Sequence, residues 1–267
     1  MIPLRDLNPT RRTPYVTVLL IVVCIGVYFF VQARPGGTDS VTIGRGDVVR
    51  IESSSRFSLE YAAVPCEITQ GRPLTIGEVE ATFNRGDDEA CRDAAAGPEL
   101  FSNKNVWLAV LTSIFLHGSL LHLGGNMLFL WVFGNNIEDH LGHGAYLGFY
   151  LAAGIVASIA HIVVQPDSTL PVIGASGAIA GVMGAYLVWF PRAPVTTLVI
   201  LVIIPLVVRI DAMWLLVLWF ISQFFTAPDS SVAWVAHVAG FVFGAAVALL
   251  VRSSQPARRI MWRSHVR

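Results

Sequence analysis

Residues 171–184 read PVIGASGAIAGVMG, an apolar stretch of small residues that contains one hydroxyl side chain, Ser176. A second apolar stretch, AHVAGFVFG at residues 236–244, follows about sixty residues later and contains His237 as its second residue. Glycine-rich stretches let membrane helices approach closely, so helix packing is one interpretation of both. The other is catalytic, because an ionisable residue in a membrane segment is costly and a serine nucleophile needs a base nearby. Either interpretation predicts that the two stretches face each other.

The composition indicates a membrane protein. Of the 267 residues, 54% are hydrophobic and 13% are charged, whereas soluble domains carry about 25% charged residues. The mean hydropathy is +0.63. We therefore expect an all-α bundle of six transmembrane helices. The six apolar segments lie at roughly 15–33, 120–137, 144–164, 174–190, 211–226 and 232–251.

The charge distribution predicts the orientation of the chain. Residues 34–104 hold eight basic and twelve acidic side chains, whereas residues 253–267 are basic with no acid. By the positive-inside rule, we expect 34–104 to be a long extracytoplasmic first loop, and both 1–14 and 253–267 to be cytoplasmic. The segment 15–33 is longer than the apolar part of a signal peptide, about 7–15 residues, so we interpret it as an uncleaved first helix. The localisation predicted is an integral multi-pass protein of a bacterial plasma membrane.

Residues 195–208, VTTLVILVIIPLVV, decide whether the site can form. They are apolar but shorter than the roughly 20 residues of a helical span, and Pro205 interrupts them. We expect an interfacial or re-entrant segment. If it crossed the membrane, Ser176 and His237 would lie at opposite faces and could not meet.

Small residues beside this pair are predicted to pack the helices. Gly181 lies four residues after Gly177, and Gly244 lies four residues after Gly240, so each pair occupies one helix face. His237 shares the face of Gly240 at a spacing of three residues.

His122 and Asn126 form a second polar constellation. At a spacing of four they share one face of the second segment, near its extracytoplasmic start. They could link helices through hydrogen bonds, or they could donate to an oxyanion together with the backbone N–H of Ser176. No acidic residue lies inside a predicted span, so the catalytic interpretation is a Ser–His dyad.

Other motifs predict little further chemistry. Cys66 and Cys91 both lie in the extracytoplasmic loop, where they could form a disulfide or remain free thiols. His140-x-x-His143 fits a solvated turn better than a metal site, since metal sites need three or four ligands. We predict no metal, no cofactor and no nucleic-acid partner; the oligomeric state is not predicted.

Three motifs together resemble the rhomboid intramembrane serine proteases: Gly-Ala-Ser-Gly at 174–177, Ala-His-x-x-Gly-x-x-x-Gly at 236–244 and His-x-x-x-Asn at 122–126. The similarity extends over nearly all of the chain except residues 34–100. It implies a rhomboid-type bundle in which residues 105–252 supply the five helices of the core after the first.

The resemblance also implies roles. Ser176 would be the nucleophile, His237 the base and then the acid, and His122 and Asn126 the oxyanion donors. Residues Gly174, Ala175 and Gly177 would shape the active-site loop. Substrates would be transmembrane proteins cut near the extracytoplasmic face.

One alternative remains at this point: an inactive rhomboid-like protein would bind or route membrane proteins with the same fold. A small transporter would show inverted repeats or ionisable pathway residues within its spans, and the sequence shows neither. One position departs from the family pattern: Ala180 stands where many members have an aromatic residue that stacks on the catalytic histidine.

Overall fold

The computed structural model describes residues 1–32, 38–43, 47–92, 97–201, 203–225 and 233–254. The helices are α1 (Tyr15–Gly26), α2 (Ser53–Tyr61), α3 (Pro65–Gln70), α4 (Ile76–Arg85), α5 (Val106–Thr112), α6 (Leu120–Leu141), α7 (His143–Val164), α8 (Ser176–Trp189), α9 (Ala212–Ser222) and α10 (Trp234–Ser254). The strands are β1 (Ile2–Asp6), β2 (Thr38–Ile43), β3 (Asp47–Glu52), β4 (Pro194–Leu201) and β5 (Ile204–Asp211). A π-helical turn, Val27–Val31, continues α1, and 3₁₀ turns lie at Ala90–Arg92, Ser113–Phe115 and Gln223–Phe225.

Each of the six predicted spans contains one helix, namely α1, α6, α7, α8, α9 and α10. Within the described ranges, α7 and α10 are each long and apolar enough to cross a membrane. A third span is added if α6 is joined to the segment Val106–Phe115, from which it is bent by 76°. The three other helices are apolar but shorter. The total of six spans therefore stays a prediction, while the helical membrane architecture is clear.

The first helix is attached to the core through one buried carboxylate. Glu138, on α6, accepts hydrogen bonds from the backbone N–H groups of Val16 and Thr17 and from the Thr17 hydroxyl. These N–H groups have no partner within α1, because they belong to its first turn. Glu138 thus caps α1 and holds it against α6.

Helices α8 and α10 pack backbone to backbone. A Cβ atom placed on Gly244 would lie 1.9 Å from the carbonyl oxygen of Gly181, and one on Gly240 would lie 2.1 Å from that of Gly177. On its other side α8 meets α7, where a Cβ on Gly177 would lie 2.5 Å from that of Ala157. Only residues without a side chain permit these approaches, which is how small residues join membrane helices.

Residues 194–211 form a β-hairpin, which corrects the all-α expectation. Strands β4 and β5 are antiparallel, and β1 adds to β4, so that the sheet has the order β1-β4-β5. The physical reason lies in the sequence: Val, Ile and Thr favour strands, and Pro205 disfavours a helix. Because Pro194 pairs with Asp211, the hairpin returns to its starting point and adds no membrane crossing. A second antiparallel pair, β2 and β3, is another departure from all-α structure.

Residues 47–104 form a subdomain with a small core of its own. This core consists of Ile51, Leu59, Val64, Cys66, Leu74, Val79 and Cys91, and the two cysteines are joined by a disulfide. Two ion pairs lie beside it, Arg72 with Glu78 and Lys104 with Glu67.

The subdomain also holds the loop that precedes α8. Backbone bonds join Cys66 to Ser168 and Val172 to Ala63, and the hydroxyls of Thr82 and Thr169 lie 2.6 Å apart. Residues 168–172 are thereby positioned by the subdomain, a contact that the sequence did not predict.

Candidate active site

Ser176 is the first residue of α8, where the chain turns sharply into the helix. Gly174, two residues earlier, has φ 123°, a conformation that L side chains rarely adopt. A Cβ at this position would also lie 2.8 Å from the His122 ring. Ala175 is fully buried, and Gly177 has no room for a side chain against α7. The loop residues Gly174, Ala175 and Gly177 therefore present Ser176 in one orientation.

His237 lies on the first turn of α10, opposite the start of α8. Its Nε2 atom is 2.8 Å from the Oγ of Ser176. The approach is set one turn further along, where Gly240 packs on the backbone of Gly177. Because His237 lies three residues before Gly240 on the same helix, close packing at Gly240 brings the His237 ring within hydrogen-bonding distance of Ser176. In this geometry an imidazole with a free lone pair on Nε2 can accept the serine proton.

The opposite ring nitrogen of His237 contacts a residue that sequence reasoning missed. Nδ1 lies 2.7 Å from Oε1 of Gln223, in the 3₁₀ turn that follows α9. The ring of Trp219, one turn earlier, lies 5.9 Å from the His237 ring, centroid to centroid. A usable signal existed: Gln223 is a polar residue inside an apolar segment, and such residues are rarely without a role.

Ala180 explains why no aromatic residue supports His237 from α8. Ala180 is fully buried, and its Cβ lies 3.4 Å from the Cβ position of Gly240. Ala180 thus packs against α10 at the level of Gly240. The contacts to the His237 ring come from α9 and its following turn instead.

His122 and Asn126 flank the loop that leads to Ser176. The Cβ position of Gly174 is 2.8 Å from Nε2 of His122 and 3.7 Å from Nδ2 of Asn126. His122 Nδ1 accepts a long hydrogen bond, 3.4 Å, from the backbone N–H of Gly118. Because that nitrogen accepts, Nε2 carries the proton and can donate. Asn126 Nδ2 is buried and has no hydrogen-bond partner in the described part of the chain.

Two further histidines lie near the site. His117 is 1% exposed, and its ring stands edge-on to that of His122 with centroids 5.2 Å apart. His161 on α7 is also buried and lies one turn after Ala157, the residue that packs against Gly177. Neither residue occurs in the motifs that predicted the site.

The His140 and His143 side chains point to different partners. His143 Nδ1 is 2.6 Å from Glu138 Oε1, whereas the His140 ring stacks on Trp189 with centroids 4.1 Å apart. Among the described residues, the one cluster with metal-ligand spacing is Cys66, Glu78 and Cys91, whose two sulfurs are bonded to each other.

Comparison with known proteins identifies the family. A model of the Rhomboid domain matches residues 104–254, more than half of the chain. Rhomboid protease GluP of Bacillus subtilis is 42% identical over 107 residues, which are 38% of this chain and 20% of that protein. Putative rhomboid protease YdcA of the same organism is 35% identical over 96 residues, 36% of this chain and 48% of that protein. Rhomboid protein 1, mitochondrial, of Saccharomyces cerevisiae is 34% identical over 92 residues, 33% of this chain and 27% of that protein.

These matches span between a fifth and about half of the length of the relatives, and they fall on proteins of one family. The family model covers the helices that carry Ser176, His237, His122 and Asn126. This chain belongs to the rhomboid family of membrane proteins.

Proposed function

We propose that the protein is a serine endopeptidase that cleaves transmembrane proteins near the extracytoplasmic face of the membrane. The observation that carries the proposal is the 2.8 Å contact between Ser176 Oγ and His237 Nε2, near the buried Asn126 Nδ2, which has no hydrogen-bond partner among the described residues. Two of the similar proteins, GluP and YdcA, bear the names of a protease and a putative protease.

The first step is attack by Ser176. His237 Nε2 takes the hydroxyl proton while Oγ bonds to the carbonyl carbon of the substrate peptide. The carbonyl π-bond breaks and its electron pair moves to oxygen, which gives a tetrahedral intermediate with a negative charge. His237 is then an imidazolium.

The negative oxygen is stabilised by donors already present around the loop. Nδ2 of Asn126, Nε2–H of His122 and the backbone N–H of Ser176 are the three candidates. The Ser176 N–H has no partner within α8, because it belongs to the first turn of that helix. Donors that need no rearrangement contribute most to such catalysis, since they are oriented before the charge develops.

The acyl-enzyme forms when His237 returns its proton to the leaving amine and the carbon–nitrogen bond breaks. A water molecule then attacks the ester, with His237 again acting as base, and Ser176 leaves as the free hydroxyl. Both half-reactions use side chains of this protein, so no cofactor is required.

The proposed topology places six spans in a bacterial plasma membrane with both termini in the cytoplasm. The supporting observation is the β-hairpin at 194–211, whose ends lie side by side. Ser176 and His237 then begin helices that enter the membrane from the same face. Labelling of Arg209→Cys, an exposed position in β5 that would change sides if residues 195–208 crossed the membrane, tests this: a membrane-impermeant maleimide should react only after permeabilisation. Labelling of intact cells would contradict the six-span topology.

Activity is tested by co-expression of a tagged single-span substrate with wild type, Ser176→Ala and His237→Ala. We expect cleavage by wild type alone, at equal expression of the three proteins. Cleavage that survives Ser176→Ala would exclude Ser176 as the nucleophile. Binding of the substrate without cleavage by wild type, across a panel of single-span proteins, would favour the inactive rhomboid-like alternative.

A further inference from the structure

Within the described residues, the imidazole ring of His237 has two hydrogen-bond partners, Ser176 and Gln223. Gln223 is 8% exposed, and its Oε1 lies 2.7 Å from Nδ1 of His237. Gln223 lies in the 3₁₀ turn after α9, whereas Ser176 and His237 belong to α8 and α10. Three separate elements therefore converge on one imidazole ring.

The amide group of Gln223 is held in one orientation. Its Nε2 lies 3.1 Å from the carbonyl oxygen of Trp219 and 3.3 Å from the hydroxyl of Ser222. A carbonyl oxygen can only accept, so the NH₂ group must be the end that faces Trp219. The opposite end, which faces His237, is then the amide oxygen.

This orientation determines which nitrogen of His237 carries the proton. An amide oxygen can only accept, so Nδ1 must donate, and in a neutral imidazole Nε2 then has the free lone pair. That lone pair points at Ser176 Oγ, 2.8 Å away. The other tautomer would place two acceptors, Nδ1 and Oε1, against each other.

We propose that Gln223 is a positioning residue that holds His237 as the Nδ1–H tautomer, the role that a carboxylate plays in a Ser-His-Asp triad. The proposal rests on the proposed function, because it assigns a partner to the same base. A neutral amide suits this location, since a carboxylate inside a span is costly. When His237 takes the serine proton, its Nδ1–H to Oε1 bond becomes charge-assisted and stronger.

Trp219 supports the same assignment. It lies four residues before Gln223, so both side chains share one face of α9 and its continuation. Its indole ring is inclined by 39° to the His237 ring at 5.9 Å. One element therefore contacts the edge of the imidazole with Gln223 and its face with Trp219.

The test measures the rate at which a fluorophosphonate probe labels Ser176 in the purified full-length protein, as a function of pH. The first variant, Gln223→Met, removes both the amide oxygen and the amide nitrogen at similar side-chain volume. The second, Gln223→Glu, keeps an oxygen that can accept a hydrogen bond. The matched control is Gln165→Met, at an exposed position after α7. Other titratable groups near His237, namely His122 and His161, remain unchanged in all variants.

For Gln223→Met we expect labelling slower by at least about tenfold, because general-base catalysis contributes about 10²–10⁴-fold and depends on the orientation of the base. With a peptide substrate the loss should appear in kcat rather than KM. Gln223→Glu should restore labelling to within a few-fold and move the acid limb of the pH profile to higher pH, since a carboxylate favours the imidazolium. Gln165→Met should behave as wild type.

Failure of this proposal is distinguishable from failure of the proposed function. If wild type is not labelled, or Ser176→Ala is labelled equally, the nucleophile assignment fails. If wild type is labelled and Gln223→Met keeps its rate and pH profile, Gln223 does not position the base. If Gln223→Met does not fold, Gln223→Glu decides: an acid limb that stays at the wild-type pH overturns the proposal.

Discussion

The contact between α8 and α10 and the subdomain at residues 47–104 are held together by different forces. In the helix pair, backbones touch directly through Gly181, Gly240 and Gly244. In the subdomain, a disulfide and two ion pairs surround a core of seven residues. Lipid offers no hydrophobic gain for joining two helices, so close packing must supply the attraction. A small core in water needs covalent or ionic reinforcement instead.

This contrast predicts that the two regions respond to different perturbations. A larger side chain at their contact should separate α8 from α10. Reduction of the disulfide, removal of a charged side chain or a low pH should instead unfold the subdomain. Substitutions confined to one region should therefore leave the other region intact.

Gly244→Ala should have the largest effect. The new Cβ would lie 1.9 Å from a backbone oxygen that cannot rotate away, so α8 and α10 must separate. We expect a loss of about 3 kcal/mol of stability, the upper range for overpacking, and complete loss of substrate cleavage. Thermal unfolding in detergent and the co-expression assay measure the two effects.

The control for Gly244 is Gly148→Ala, in α7, where the added Cβ has no heavy atom within 4 Å. It should be neutral or slightly stabilising, because alanine is a better helix former by up to about 1 kcal/mol. Equal behaviour of the two variants would show that close packing of α8 on α10 is not required.

Cys91→Ser should destabilise the subdomain by about 3 kcal/mol, since the disulfide to Cys66 closes a loop with a sequence separation of 25. Limited proteolysis should then cut residues 47–92 while α6 to α10 stay protected. Cys24→Ser, which alters the free buried thiol of α1, should leave this protease pattern unchanged. Simultaneous loss of both regions would contradict their separate stabilisation.

Lys104→Met should destabilise the subdomain slightly less than Cys91→Ser does. The Lys104 ammonium is buried against Glu67 and also donates to the carbonyl oxygens of Leu59 and Ala62. Burial raises the pKa of Glu67, against the opposing effect of Lys104, so without its partner this carboxyl can take up a proton. We expect a loss of about 2–3 kcal/mol, somewhat below the usual cost of an unpaired buried charge.

The double variant Lys104→Met with Glu67→Gln is the check on this pair. It should be more stable than Lys104→Met alone, because it removes the unpaired carboxyl. Urea unfolding, followed by proteolysis of the subdomain, measures the stability of the single and the double variant. A double variant less stable than the single one would show that charge pairing is not the relevant interaction.

The smallest effect that we expect is the loss of subdomain stability when Glu78 is protonated at low pH. Burial opposes ionisation, but hydrogen bonds from Arg72 and Thr75 outweigh it and hold the pKa of Glu78 below its ordinary value. The stabilisation is therefore complete above the ordinary glutamate value of about 4.3, and it is lost as pH falls through the lower folded value. Proteolysis of the subdomain between pH 5 and pH 3 should show the transition.

Substitution of Arg72→Gln should weaken this dependence, because it removes the two bonds from the guanidinium. Glu80→Gln, on the same helix but outside that contact, is the matched control and should leave it unchanged. A transition that is the same in all three proteins would show that Glu78 does not cause it.

Sequence reasoning predicted the helical segments well, because each span is a continuous apolar run bounded by charge or proline. It missed the strands β4 and β5, because residues 195–208 were interpreted from hydropathy only as an interfacial or re-entrant segment of an all-α protein. The β-branched side chains that make this segment apolar also favour strands, and hydropathy cannot separate the two. It also left Cys66 and Cys91 with two possible states, since pairing depends on a distance that sequence does not contain.

The candidate site was predicted only in part, because some of its contacts join residues that are distant in the sequence. Ser176, His237, His122 and Asn126 occur in local motifs on three helices, so each motif could be recognised within its own apolar segment. Gln223 and His161 lie on other helices and approach the site only through helix–helix packing. A polar residue in an apolar run suggests a role, but it does not reveal its partner.

By itself the sequence determined a rhomboid-type membrane protein and its candidate nucleophile, base and oxyanion donors, because apolar runs and local motifs are properties of neighbouring residues. Only the tertiary structure decided that His237 meets Gln223, that 194–211 is a hairpin and that the subdomain holds the loop before Ser176. These are contacts between residues far apart in the chain, and they depend on how closely small residues let the helices approach.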